Sequence, residues 1–223
     1  MSEEIISLTK KINKGEIISL TKKGSNGIDE GLNSAIFGAG WQEGLKQEGG
    51  LKGLVKGLLG GATNSTNVDV DASIFCFKGN SYVARCCYKS PVVSINGKTI
   101  LKSAGDDRTG RDKKTDTDNE QIKINLSDIG TNRVDKLFAV INIFNAENNG
   151  QTMSLIKKAY CHIYDDKGEE MCMFNMDENY GNDYSLVVGE FYFLNGKWEF
   201  KAIGESCKQN VDTFAEFIKS KYL

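Results

Sequence analysis

The chain has 223 residues, 39% hydrophobic and 26% charged, enough to bury a core and, at roughly 150 residues per domain, to make one domain with an appendage. Its 28 Lys and Arg against 30 Asp and Glu leave a net charge of -2, so no basic field draws it to nucleic acid and no direct nucleic-acid contact is expected. No run of about 18 apolar residues occurs, and the opening MSEEIISLTKK lacks the basic-then-apolar order of a secretory signal. A cytoplasmic protein is expected.

In chain order, the first feature is a duplication: EIISLTKK at 4–11 recurs at 16–23. Both copies read as short β-segments. The first, within 1–14, reads as an arm, and 15–207 read as the main domain. IFGAGW at 36–41 looks like another strand, whose glycines allow close backbone approach or a bulge. Within the 43–67 insertion, residues 43–61 change character, with Leu51, Leu54, Val55, Leu58 and Leu59 at helical spacing and Lys46, Lys52 and Lys56 as their polar complement. Such a segment could dock on a membrane surface or a partner helix, although Gly49, Gly50, Gly53 and Gly57 each cost about 1 kcal/mol inside a helix. A mobile insertion is the alternative.

From Val68 onward nine short apolar runs alternate with turn residues, from VDVDASIFCFKG to KWEFKAIGE. That pattern predicts an all-β fold, a two-sheet β-sandwich. The run 137–144 is apolar on both faces and should be central. Asn195 and Gly196 mark a hairpin turn, across which Tyr192 and Trp198 could pair. After Cys207 the period changes: Val211, Phe214, Phe217 and Ile218 form one stripe, with Asn210 placed as N-cap of a short helix in 208–223.

The six cysteines show no CxxC and no regular spacing, which fits reduced core thiols, and the single histidine, His162, makes zinc improbable. Chemistry concentrates elsewhere. SAGDDRTGRDKKTDTDNE at 103–120 carries Asp106, Asp107, Asp112, Asp116, Asp118 and Glu120 between two strands. Calcium takes six to eight oxygen ligands, and a loop rich in Asp, Gly and Thr supplies them. In an extended chain Asp116, Asp118 and Glu120 project to one side, and their repulsion is offset by a cation. A solvated loop whose Arg108, Arg111, Lys113 and Lys114 partly cancel the charge is the competing reading. Asp69 and Asp71 share one face of VDVD at 68–71, and Asp177 and Asp183 stand in the 175–183 turn. No GxGxxG, Walker or GxSxG pattern appears. In the alternating YCHIY at 160–164, His162 reads as a hydrogen-bonded strand residue rather than a catalytic base. A metal-dependent phosphoesterase built on the carboxylates is the enzymatic alternative.

The order of several separated motifs resembles the TerD family of tellurite-resistance and stress proteins. These motifs are GEIISLTKKG at 15–24, Gly40 with Trp41, VDVDAS at 68–73, GDDRTG at 105–110, DNE at 118–120, GEFY at 189–192 and WEFKAIG at 198–204. The resemblance runs from about residue 15 to 205 and implies a β-sandwich that binds calcium through acidic loops. The family's sites then fall on Asp69 and Asp71, on Asp106 and Asp107, and on Asp116, Asp118 and Glu120, with Asp177, Asp183 and Glu190 as looser candidates. It also implies a non-enzymatic role in resistance to tellurite, phage or other stress, beside a membrane-embedded Ter partner at the inner membrane face. Relatives described as cyclic-AMP-binding add a small-ligand sensor as an alternative. Arg111, Lys113 and Lys114 stand where family members usually have glycine and further Asp, which implies weaker binding or the loss of one of two calcium sites.

Overall fold

The computed structural model describes residues 10–43, 68–105, 118–176 and 180–223. The 44–67 part of the insertion, most of the first EIISLTKK copy, and Asp106, Asp107, Asp116 and Asp177 lie outside the described residues. In chain order the strands are β1 (Lys10–Ile12), β2 (Ile17–Ser19), β3 (Thr21–Lys23), β4 (Asp29–Gly31), β5 (Ala35–Glu43), β6 (Val70–Lys78), β7 (Ser81–Cys86) and β8 (Val92–Ile95). They continue as β9 (Lys98–Ser103), β10 (Glu120–Ile124), β11 (Lys136–Ile143), β12 (Ile156–Tyr164), β13 (Glu170–Asn175), β14 (Ser185–Leu194) and β15 (Lys197–Cys207). Among the described residues two α-helices, α1 (Ala146–Asn149) and α2 (Phe214–Tyr222), and two short 3-10 helices complete the set.

Among the described residues these strands make a seven-stranded sheet, β1-β13-β12-β5-β10-β9-β8, a six-stranded sheet, β2-β15-β14-β11-β6-β7, and the separate β3-β4 hairpin. Pairing is antiparallel except between β1 and β13. All nine predicted runs are strands. The second EIISLTKK copy supplies β2, which pairs with β15, and β3. The all-β sandwich with one short C-terminal helix stands as expected.

Alternation sorts the side chains into layers. From the first sheet Phe37, Ala39, Trp41, Ile122, Ile124, Cys161 and Ile163 face inward, and from the second Ile74, Cys76, Leu137, Ala139, Ile141, Val188 and Phe200 meet them. The apolar run on β11 has a separate reason for each face. Its other side chains, Phe138 and Val140, join Phe75 and Phe77 of β6 in a second cluster that Phe214 and Ile218 of α2 cover. The rings of Phe75 and Phe214 lie 5.7 Å apart. All six cysteines are free and buried. Burial pushes the Cys86 and Cys172 thiols up to about 12, far from the range of a reactive thiolate.

Two local expectations need correction. Leu194 pairs with Lys197 across the Asn195-Gly196 turn, so Trp198 faces Phe193, not Tyr192. The two rings meet edge-on at 5.6 Å, while the Tyr192 hydroxyl donates to Glu199 at 2.6 Å. Asn210 is not the N-cap of α2, because a turn intervenes. Its Oδ1 accepts the Asp212 N–H at 2.9 Å in an Asx-turn, and Thr213 occupies the cap position.

Candidate functional site

The start of β10 fixes three polar side chains in three directions. Asn119 splices it onto β5: its N–H donates to the Ala39 carbonyl at 2.8 Å and its Oδ1 accepts the Trp41 N–H at 2.9 Å. Glu120, in register with Ala39, turns inward. One of its carboxylate oxygens accepts the Ala72 N–H at 2.6 Å. Ala72 lies on β6 ahead of its pairing with β7, which begins at Ile74. The carboxylate therefore occupies a gap in the ladder and ties the two sheets together.

Asp71 precedes Ala72, is buried, and faces Asn142 of β11. Its neighbour Asp69 gives its carbonyl to the Phe144 N–H at 2.7 Å. The segment 106–117 begins and ends at this same end, since the Ala104 N–H bonds the Gln121 carbonyl at 2.9 Å. Asp69, Asp71 and Glu120 thus lie at one end of the sandwich, Glu120 between the sheets and Asp71 on the outer face of the second sheet.

Asp118 goes the other way. Extended-chain alternation places it on the Glu120 side, but the bend at Asn119 carries it to the outer face of the first sheet. There its side chain has 0% exposure. Oδ2 accepts from Gln121 Nε2 at 3.0 Å and Oδ1 lies 2.9 Å from His162 Nδ1. An ionised carboxylate only accepts, so Nδ1 carries the proton. The Tyr164 hydroxyl is also 2.9 Å from Nδ1, and Glu170 Oε1 lies 3.5 Å from Nε2. Burial, then the Asp118 charge, pushes the Tyr164 phenol above its ordinary range. The glycines of IFGAGW make the room: a Cβ on Gly38 would sit 2.0 Å from Asp118 Oδ2, and one on Gly40 would sit 2.2 Å from the Tyr160 ring. Sequence reasoning anticipated a hydrogen-bonded strand histidine and close approach at the glycines, but not that Asp118 joins them. Cys161 faces the core, so it forms no Cys–His pair with its neighbour.

The looser candidates lie elsewhere. Asp183 Oδ2 accepts the Ser206 hydroxyl at 2.6 Å. Glu190 stands opposite Phe138 on one side and Lys201 on the other, four residues along β11 from Asn142, or about 13 Å at strand rise. Burial raises its carboxyl above the usual range, with Lys136 and Lys201 opposing. Among the described residues no group of three or more His, Cys, Asp or Glu side chains is close enough to hold a metal ion. A complete calcium shell would therefore have to draw oxygens from 106–117 in addition to Asp69 and Asp71.

The profile of the TerD domain matches residues 8–217. The chain belongs to the TerD family. It is 32% identical over 197 residues to the stress response protein SCP2 of Bacillus subtilis (strain 168), covering 86% of this chain and 91% of that protein. Tellurium resistance protein TerZ of Serratia marcescens is 29% identical over 177 residues, with 79% and 82% covered. Tellurium resistance protein TerD of the same organism is 29% identical over 148 residues, with 65% and 74% covered. Among solved structures, that of a protein of unknown function, SAV2460, matches with a TM-score of 0.59 at 13% identity over 83% of this chain and 96% of that one. At that identity the likeness concerns the fold alone. The TerD relatives bear stress-response and tellurium-resistance names, and that family placement is this chain's functional class. Among the described residues no helix is long and apolar enough to cross a membrane.

Proposed function

We propose that this TerD-family chain is a calcium-binding stress-response protein of the tellurite-resistance type, acting as a non-enzymatic binding or adaptor module. The observation that carries the reading is the burial of Asp71 and Glu120 at the end of the sandwich where 106–117 begins and ends. Asp69 and Asp71 would hold the ion from the sandwich side, and Asp106, Asp107 and Asp116 from the loop side. A bound calcium supplies positive charge that offsets carboxylate repulsion. Glu120 fixes the distance between the sheets through the Ala72 N–H. Asp118, engaged with His162 and Gln121, positions the loop exit rather than ligating, and Asp183 and Glu190 serve local structure. The adaptor surface would face a membrane-embedded partner from the cytoplasmic side, with 43–61 as the segment that touches the membrane.

The test is titration calorimetry and thermal melting of the metal-stripped chain with calcium, and with magnesium as control. Calcium-selective binding with an upward melting shift is expected, weakened at least tenfold by Asp71→Asn or Asp106→Ala and unchanged by Asp29→Asn on the β3-β4 hairpin. No binding, or equal losses in all three variants, would reject the reading.

A further inference from the structure

The two EIISLTKK copies meet the fold in different ways. The second, at 16–23, runs along the edge of β15. Ile17, Ile18 and Ser19 stand opposite Lys201, Phe200 and Glu199. The Leu20 N–H donates to the Trp198 carbonyl at 2.9 Å, and the Leu20 carbonyl accepts the Leu32 N–H at 3.0 Å. Ile18 and Leu20 are buried in the main core, Lys22 pairs with Asp166, and Lys23 lies 2.8 Å from Asp29. On the side of the second copy, each of these contacts is made by a residue that the first copy, at 4–11, repeats in the same order.

The first copy enters the described fold only through Lys10 and Lys11 of β1, and both are exposed. The buried residue of β1 is Ile12, which lies outside the repeat. Its short pairing with β13 is parallel, the slightly weaker arrangement. β1 therefore makes no use of the apolar side chains that the repeat shares with β2. The flanks of the two copies differ, and they explain which one is seated on β15. Gly15 takes a φ of 86° ahead of β2, where the first copy has Glu3, and a left-handed φ is unfavourable for a residue with a Cβ. After β3, a Cβ on Gly24 would sit 2.4 Å from Glu30 Oε1, where the first copy has Ile12. The Glu30 carboxylate ends a flexible side chain and can move aside, so the preference is one of degree.

We propose that the β15 edge is a strand-acceptor site with two occupants in one chain, and that the first EIISLTKK copy exchanges with the second. Glu4 to Lys11 then take the places of Glu16 to Lys23. Ile6 and Leu8 fill the core positions of Ile18 and Leu20, and Lys10 meets Asp166. The exchange withdraws β1 from β13, which opens the edge of the first sheet to another strand. The connection to β4 lengthens from 24–28 to 12–28, which opposes the exchange only weakly because closure entropy grows with the logarithm of loop length. Main-chain pairing accepts many sequences, whereas burial at alternate positions selects Ile and Leu in this order. The donor belongs to the same chain. Ile12 ends β1 and the Gly15 N–H already bonds the Ala202 carbonyl of β15 at 2.8 Å, so the first copy is tethered beside the edge at a high effective concentration.

Paired cysteines in the full-length chain test the exchange. Ser19 opposes Glu199, so Ser7 opposes it after the exchange, and residues directly opposite on neighbouring strands are near enough for a disulfide. The six native cysteines are buried and compete little. Ser7→Cys/Glu199→Cys should form its disulfide within one chain about fivefold faster than Ser2→Cys/Glu199→Cys, which is tethered alike but opposes position 199 in neither register. Adding Leu20→Ala should raise the Ser7→Cys/Glu199→Cys rate further. A melting cycle reads the same equilibrium without cysteines. Leu20 is fully buried, so its truncation is costly in a fixed register, and an exchange that seats Leu8 limits the loss. Leu8→Ala alone should leave the melting temperature unchanged, and Leu8→Ala/Leu20→Ala should lower it at least twice as far as the two single variants together. Equal disulfide rates from positions 2 and 7, or additive melting shifts, overturn the proposal. A disulfide joining two chains, seen as a dimer on a non-reducing gel, overturns it as well by assigning the donor strand to a second copy of the protein.

Discussion

At Gly38 a missing side chain decides the position of a buried charge. The carboxylate of Asp118 lies where a Cβ would be, 2.0 Å away, and from there it reaches His162. Gly38→Ala must expel Asp118, leaving His162 Nδ1 without its acceptor and a buried carboxylate displaced. We expect a loss of about 2–4 kcal/mol, in the range of broken buried polar networks. Denaturant unfolding measures it, and the nitrogen shifts of His162 should move as the proton on Nδ1 loses its partner. Glu190 offers a residue-scale test with pH. Its folded pKa lies above its ordinary 4.5 because burial outweighs Lys136 and Lys201. Below pH 4.5 the folded and unfolded states are both protonated and the residue is neutral to stability. As pH rises past that value the unfolded chain releases its proton first, so stability falls until the folded carboxyl has also ionised. Gln does not titrate. Glu190→Gln should therefore gain in melting temperature relative to the parent between pH 4 and pH 7, and a constant difference across that range would contradict the assignment.

At the scale of elements, α2 explains why β11 is apolar on both sides. Phe214 is fully buried against Phe75, with Ile218 in the same cluster. Phe214→Ala should cost about 3–5 kcal/mol, the usual range for a large aromatic removed from a core. A loss under 1 kcal/mol in chemical unfolding would mean that α2 is an appendage and not a lid on the second sheet. Turn chemistry is legible in the sequence. Asn195 and Gly196 both take positive φ, 50° and 84°, as a two-residue hairpin requires, and counting outward from them gives Phe193, not Tyr192, as the partner of Trp198. The same dipeptide recurs at Asn96 and Gly97, with φ of 52° and 76°, and closes β8 onto β9. VVSINGKTIL thus carries a hairpin signal for β8, although its apolar run is too short to mark a strand by periodicity.

For the whole molecule, the arrangement that matters is the end where the two sheets meet through Glu120. An ion that binds only the folded chain raises its stability by an amount set by concentration over affinity, about 2.7 kcal/mol at a hundredfold excess over Kd. That is the melting shift the proposed calcium reading requires. It should be largest in low salt, where repulsion among the acids at this end is least screened. Asp71 and Asn142 are cross-strand partners on the side of the second sheet that α2 covers.

The sequence alone determined the fold class, the nine strands, the central place of β11, the burial of the thiols and the family. Each rests on local periodicity or on motifs in order, and both survive without knowledge of which strands are neighbours. What it could not determine is which polar groups share a neighbourhood, because that depends on sheet order and on single bends. One bend at Asn119 sends Asp118 and Glu120 to opposite faces, although a period of two places them together. The order β12-β5-β10 is what brings His162 across Gly38 to Asp118, 44 residues away in the chain.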